Sequence, residues 1–143
     1  MNVPPCAPVV VCNWPKHPES VGLARRHLRG VLDRWGTARI SETAEVVLSE
    51  LVTNAARHSH NSDRLIEIRY QPMPDGSLSI EVHDDDDRLP VMRRAAEDDE
   101  SGRGLSIVDA LTDGRWGVLP RSPREGAGAI GKFVWALVGP GGW

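Results

Sequence analysis

Glu50, Asn54 and His58 recur at four-residue intervals in SETAEVVLSELVTNAARHSH, placing a carboxylate, an amide and an imidazole along one side of what reads as an amphipathic helix. A carboxylate serves as a general base, and an amide oxygen one turn away is a neutral donor for a hard cation such as Mg²⁺. At ~3.6 residues per turn each step advances about 40° round the axis, so the line drifts from the solvent side into the apolar border. Such a line faces a half-buried cleft. Taken alone, an E-x-x-x-N pair is ordinary on an amphipathic surface, and a histidine at its end is more often packed or capping than catalytic.

Two later segments change the weight of that line. VHDDDDRLP sets Asp84 at the end of a strand-like run, where its oxygens can accept from the exocyclic amine of a base such as adenine. GRGLSIVDAL follows, with Gly102 and Gly104 preceding or opening a helix. The first amides of a helix are unpaired, and glycine lets that backbone approach a phosphate closely. Each segment also has an ordinary explanation: glycine pairs are common in turns, and the acidic run reads as a solvated loop or a weak Ca²⁺ site without EF-hand spacing. In this order the three elements suggest a nucleotide site. Asn54 would offer its oxygen to Mg²⁺ and Glu50 would polarise a water or hydroxyl, for in-line phosphoryl transfer by positioning and charge neutralisation.

The elements that must hold these residues are legible from periodicity. Val47, Leu48, Leu51, Val52 and Ala55 mark the core stripe of a helix from about Glu42 to His58, with Ser41 as its N-cap and Glu42 and Glu45 in the acid-favouring first turns. VVVCNW reads as a strand, followed by a helix led by Pro18 and Glu19, carrying Val21, Ala24, Leu28, Val31, Leu32 and Trp35 inward, and stopped at Gly36. Arg25, Arg26 and Arg29 take its other side. LIEIRY and LSIEVH are period-two strands joined by a Pro-Asp-Gly hairpin. Residues 91–103 connect two motifs with little periodicity, which suits a lid, with a short helix expected at Arg93 to Glu97. Apolar residues Leu105, Ile107, Val108 and Leu111 return to helical spacing, and RWGVL and IGKFVWALV close the chain as strands around PRSPREGAGA. Lys132 lies on that last alternating strand, where polar positions ordinarily meet solvent. The tail 139–143 is expected to be loosely held.

With 143 residues, 40% hydrophobic, the chain is expected to form one domain with a full core. Its net charge of -3 and lack of a basic stripe argue against direct nucleic-acid binding. The longest apolar runs are too short to span a bilayer and no secretory n-region is evident, so a cytoplasmic protein is expected. Cys6 and Cys12 are too few and too isolated for a disulfide framework or a zinc site.

These motifs together resemble the GHKL ATPase superfamily, and within it the small anti-sigma-factor serine/threonine kinases that partner STAS-domain anti-anti-sigma factors. Its N-box E-L-x-x-N-A stands here as Glu50-Leu51-Val52-Thr53-Asn54-Ala55, and its second glycine box as Gly102-Arg103-Gly104-Leu105. The resemblance implies an α/β fold, the Bergerat two-layer α+β sandwich, with a mixed, mostly antiparallel sheet, helices on one face, and ATP or ADP with Mg²⁺ between helices and lid. By the same resemblance Glu50 is the base, Asn54 the Mg²⁺ ligand, Asp84 the adenine reader and the two glycines part of the phosphate lid. His58, Asp86, Arg103, Leu105 and Lys132 join them as candidate nucleotide contacts. The first glycine box departs from D-x-G-x-G: Asp84-Asp85-Asp86-Asp87-Arg88 replaces both glycines, and Asp86 stands at the serine of the D-x-S-x-x-x-P variant with which Pro90 agrees. Carboxylates there repel a triphosphate, by a few kcal/mol at worst in a low-dielectric cleft.

The function implied is transfer of the ATP γ-phosphate to a serine or threonine of an STAS-domain partner, or sequestration of a sigma factor. The alternative is a nucleotide-sensing or nucleotide-free binding module of the same fold. A sensor histidine kinase would need a dimerisation helix pair, and a gyrase-like ATPase would need transducer domains. A homodimer through the first strand and helix fits the resemblance.

Overall fold

The computed structural model describes residues 9–57, 65–84, 100–121 and 131–139, with residues 100–103 described by their backbone alone. In chain order the elements are β1 (Val10–Pro15), α1 (Glu19–Arg34), a short 3-10 turn (Ala38–Ile40), α2 (Ser41–Arg57), β2 (Leu65–Pro72), β3 (Leu78–Asp84), α3 (Glu100–Thr112), β4 (Trp116–Pro120) and β5 (Lys132–Val138). The strands form one sheet in the order β1-β2-β3-β5-β4. All three described helices cover the same face, giving the α+β sandwich that the resemblance implies.

The sheet is antiparallel at each of its pairings, β1 with β2, β2 with β3, β3 with β5, and β4 with β5. Among the described residues the expected mixed character is therefore not seen. The crossover through α3 does leave β3 and β4 pointing the same way, but β5 lies between them and runs against both.

Period-two alternation decides which side chains meet the helices. Ile66, Ile68 and Tyr70 of β2, Leu78, Ile80 and Val82 of β3, and Val134, Ala136 and Val138 of β5 are buried on the covered face. Ala24, Leu28 and Leu32 of α1, Val47, Leu48, Leu51 and Val52 of α2, and Leu105 and Val108 of α3 complete that core. α2 is the central helix, in contact with α1, α3 and the sheet. The turn between β2 and β3 is the expected one: Gly76 takes φ 89°, Ser77 O accepts from Met73 N at 2.8 Å, and Asp75 Oδ1 accepts from Ser77 N and Oγ.

The start of α2 differs from expectation. Ser41 is helical, at φ -60° and ψ -44°, continuing directly from the 3-10 turn, so it is not an N-cap. Its hydroxyl instead donates to Glu45 Oε2 at 2.8 Å. Glu45, expected only to complement the helix dipole, is a buried clamp between helices. Arg29 of α1 holds both of its oxygens, at 3.2 Å from Nε and 2.5 Å from Nη2, and Arg25 stands 3.9 Å away. α3 also starts earlier than the apolar spacing implies, so residues 100–103, the end of the expected lid, form its first turn. The rest of that segment, with the helix expected at Arg93 to Glu97, lies outside the described residues. The first residue of the expected loose tail is held, since Gly139 O accepts from Arg115 Nη2 at 2.7 Å. Among the described residues no helix is long and apolar enough to cross a membrane.

The Arg29 guanidinium, bonded to Glu45, holds that carboxyl below the usual glutamate range against the opposing effect of burial, with help from the Ser41 hydroxyl. A group whose folded pKa is depressed stabilises the fold above its unfolded value and loses that contribution as the pH falls through the folded one. Wild type should therefore lose melting temperature faster than Glu45→Gln below about pH 4.5. Parallel acid limbs in thermal scans of the two proteins would remove Glu45 as the clamp.

Candidate nucleotide site

α2 is central, and of its polar line Glu50 meets α3 at Gly104. Asn54 is only 5% exposed, and its Oδ1 is buried with no hydrogen-bond partner among the described residues. A buried amide oxygen left unpaired costs on the order of 1–3 kcal/mol, so its retention suits an acceptor reserved for a ligand. A Mg²⁺ ion keeps several waters and takes phosphate oxygens, so one amide donor from the protein is enough to help hold it.

Glu50, one turn earlier on α2, is half-buried. Burial pushes its carboxyl up, with Arg57 pulling the other way. The helix that meets it is α3, and the contact is made possible by a glycine. A Cβ placed on Gly104 would stand 2.6 Å from Glu50 Oε2, well inside contact distance. Gly104 lies within α3 rather than before it, so its service to the site is close approach to Glu50; Gly102 lies in the helix's first turn, among the amides without intrahelical partners. Leu105, expected as a nucleotide contact, is 1% exposed and packs in the core.

At the far end of the covered sheet face, Asp84 follows Val82 on β3 and Lys132 precedes Val134 on β5, paired directly across the strands. Both side chains are 3% exposed, and Lys132 Nζ lies 3.2 Å from Asp84 Oδ1 and 3.3 Å from Oδ2. Lys132 is therefore not on the solvent side of its strand. The flanking residues Phe133, Trp135 and Leu137 take the other face and are as apolar as Val134, Ala136 and Val138, so alternation alone cannot orient this strand. The structure thus joins Glu50 to Gly104 and Asp84 to Lys132, with Asn54 on the same helix as Glu50. His58 and Asp86 lie outside the described residues, as do Asp85, Asp87 and Arg88, and Arg103 is described by its backbone alone.

The model of the histidine kinase-like ATPase domain family matches residues 14–115, a span holding Glu50, Asn54, Asp84 and both glycines. The chain belongs to this family. It is similar to the serine-protein kinase RsbW of Oceanobacillus iheyensis, 28% identical with 69% of this chain and 72% of the relative covered. It is also similar to the uncharacterized protein SCO4941 of Streptomyces coelicolor, 41% identical over 41% of this chain and 56% of that protein's length. Among solved structures, the RsbU and RsbW domains of Rv1364c from Mycobacterium tuberculosis share the fold, at TM-score 0.65 and 18% identity, over 92% of this chain and 32% of theirs. These likenesses agree with the resemblance to GHKL anti-sigma-factor kinases carried by the N-box and second glycine box, and membership in an ATPase-domain family makes ATP the ligand class.

Gly104→Ala separates the site from the fold. Alanine favours a helix interior by up to about 1 kcal/mol over glycine, and the atom it meets is the movable end of a side chain, so the melting temperature should hold or rise. The Glu50 carboxyl should be displaced and titrate closer to the ordinary glutamate range, followed by the pH dependence of its side-chain carbon resonance. An unchanged titration would mean that α3 does not confine Glu50.

Proposed function

We propose that this protein binds Mg²⁺-ATP between α2, α3 and the Asp84 end of the sheet and transfers the γ-phosphate to a serine or threonine of an STAS-domain partner. The observation that carries this reading is Asn54: a buried amide oxygen with no partner among the described residues, one turn from a carboxylate that α3 approaches through a glycine. Asn54 would hold the metal, which supplies charge neutralisation at the phosphates when bound. Glu50 would take the proton of the attacking hydroxyl as its oxygen bonds to phosphorus and ADP leaves. A carboxyl raised by burial is better matched to that work near neutral pH than an exposed one. The first turn of α3, with its unpaired amides, is the natural seat for the phosphates. Sigma-factor sequestration belongs to the same proposal, as the state in which the phosphoacceptor is absent, and a homodimer and a cytoplasmic location are its expected setting. Residues 91–103 are proposed as the lid over the bound nucleotide, and the whole chain as one ATP-binding unit.

One observation favours the second reading, a nucleotide-sensing module without transfer. Asp84 is already engaged by Lys132, which is no aid to adenine binding.

Calorimetry with Mg²⁺-ADP and Mg²⁺-ATP tests the first reading, together with phosphotransfer to an STAS-domain protein. Saturating nucleotide at a hundredfold over Kd should add about 2.7 kcal/mol of stability. Glu50→Gln should keep ADP affinity within about threefold and lower transfer by at least about 100-fold, the usual share of a general base. Asn54→Ala should remove the Mg²⁺ dependence of ADP binding while the ligand-free protein stays folded. Nucleotide binding with no transfer by wild type would establish the sensing module instead.

A further inference from the structure

The base end of the cleft already holds an amine of the chain's own. Lys132 Nζ is nearly equidistant from the two Asp84 oxygens, 3.2 and 3.3 Å, so it faces both at once rather than one edge of the carboxylate. A ligand amine bonding to Asp84 head-on needs that same position. The contact is set by strand register, since Asp84 and Lys132 are direct partners in the pairing of β3 with β5, and both side chains are 3% exposed. An ammonium is also the stronger partner: hydrogen bonds between ionised groups are roughly twice as strong as neutral ones, and removing one member of a buried pair strands the other's charge. The neutral exocyclic amine of a purine cannot match it.

We propose that Lys132 is a specificity-determining residue that occupies the carboxylate of Asp84, so that this chain grips nucleotides through phosphate and metal and scarcely distinguishes 6-amino from 6-oxo purines. The proposal rests on the nucleotide-site reading above. A 6-oxo purine suits the pair at least as well, because its keto oxygen accepts from the ammonium where the 6-amino group of adenine offers a competing donor. Lys132 lies beyond the span matched by the family model, which ends at residue 115, so family membership leaves this position open.

The test is calorimetry of Mg²⁺-ADP and Mg²⁺-IDP, which differ in the 6-substituent, on wild type, Lys132→Thr and Lys132→Arg, with a thermal melt of each protein. Wild type should bind the two within roughly threefold. Lys132→Thr removes the ammonium from both oxygens and should prefer ADP by roughly 100-fold or more, in the way sites built to bond one polar group reject analogues lacking it. Lys132→Arg keeps a cation there and should stay unselective. If Lys132→Thr does not fold, the wild-type ratio decides by itself. A wild-type preference for ADP of roughly 100-fold overturns the proposal and leaves the nucleotide site standing, because Asp84 then reads the amine despite its neighbour. A folded Lys132→Thr that gains no preference also overturns it. Binding of neither nucleotide by folded wild type and folded Lys132→Thr overturns both the proposal and the site.

Discussion

The packing of α2 governs this structure. It touches α1, α3 and the sheet, so a helix of 17 residues has few directions left in which a polar side chain can reach water. Its apolar stripe is used on the sheet, and Glu45 and Asn54 are buried on either flank. Everything proposed for the site follows from where the second flank opens, beside α3. There Gly104 lets the two helices come close enough that Glu50 is confined between them.

Three carboxylates on the helix-covered side of the sheet receive different treatment, and the difference separates framework from chemistry. Glu45 is given a guanidinium and a hydroxyl, which hold it ionised and fasten α1 to α2. Asp84 is given a buried ammonium across the strand pairing. Glu50 is half-buried and raised by desolvation, the state expected of a group that must accept a proton rather than anchor a helix. Near it, Asn54 keeps an acceptor unpaired among the described residues. A framework built only for stability would have filled that acceptor or replaced it with an apolar side chain, since an orphaned buried oxygen is a net cost.

Family membership and local chemistry contribute separately. The match over residues 14–115 establishes the domain, and the shared fold with the Rv1364c domains extends over nearly all of the chain. Neither reaches the question of what the base end recognises, because a fold hosts many sites and specificity is written in particular side chains. Asp84 in the matched region and Lys132 beyond it meet only through the pairing of β3 with β5.

Much of this was legible in the amino-acid order, because periodicity and turn chemistry are local. The core stripe of α2, the alternation of β2 and β3, the Pro-Asp-Gly turn and the polar line Glu50 to Asn54 all appear where their spacing puts them. So does the burial of Asn54 at the edge of the apolar stripe, since a four-residue step overshoots one turn by about 40°. Three features were not legible. Ser41 and Glu45 have the spacing of a helix start, but a 3-10 turn already feeds α2, and Arg29 stands 16 residues away in sequence. Gly104 looks like a turn glycine until α3 is seen to run through it against Glu50. Lys132 sits in a strand apolar on both faces, so nothing local orients it, and its partner is 48 residues back. Local sequence determines which elements form and which of their faces are apolar, because those depend on neighbours within a few residues. Which charge meets which is decided by strand register and helix packing, and only the tertiary structure contains them.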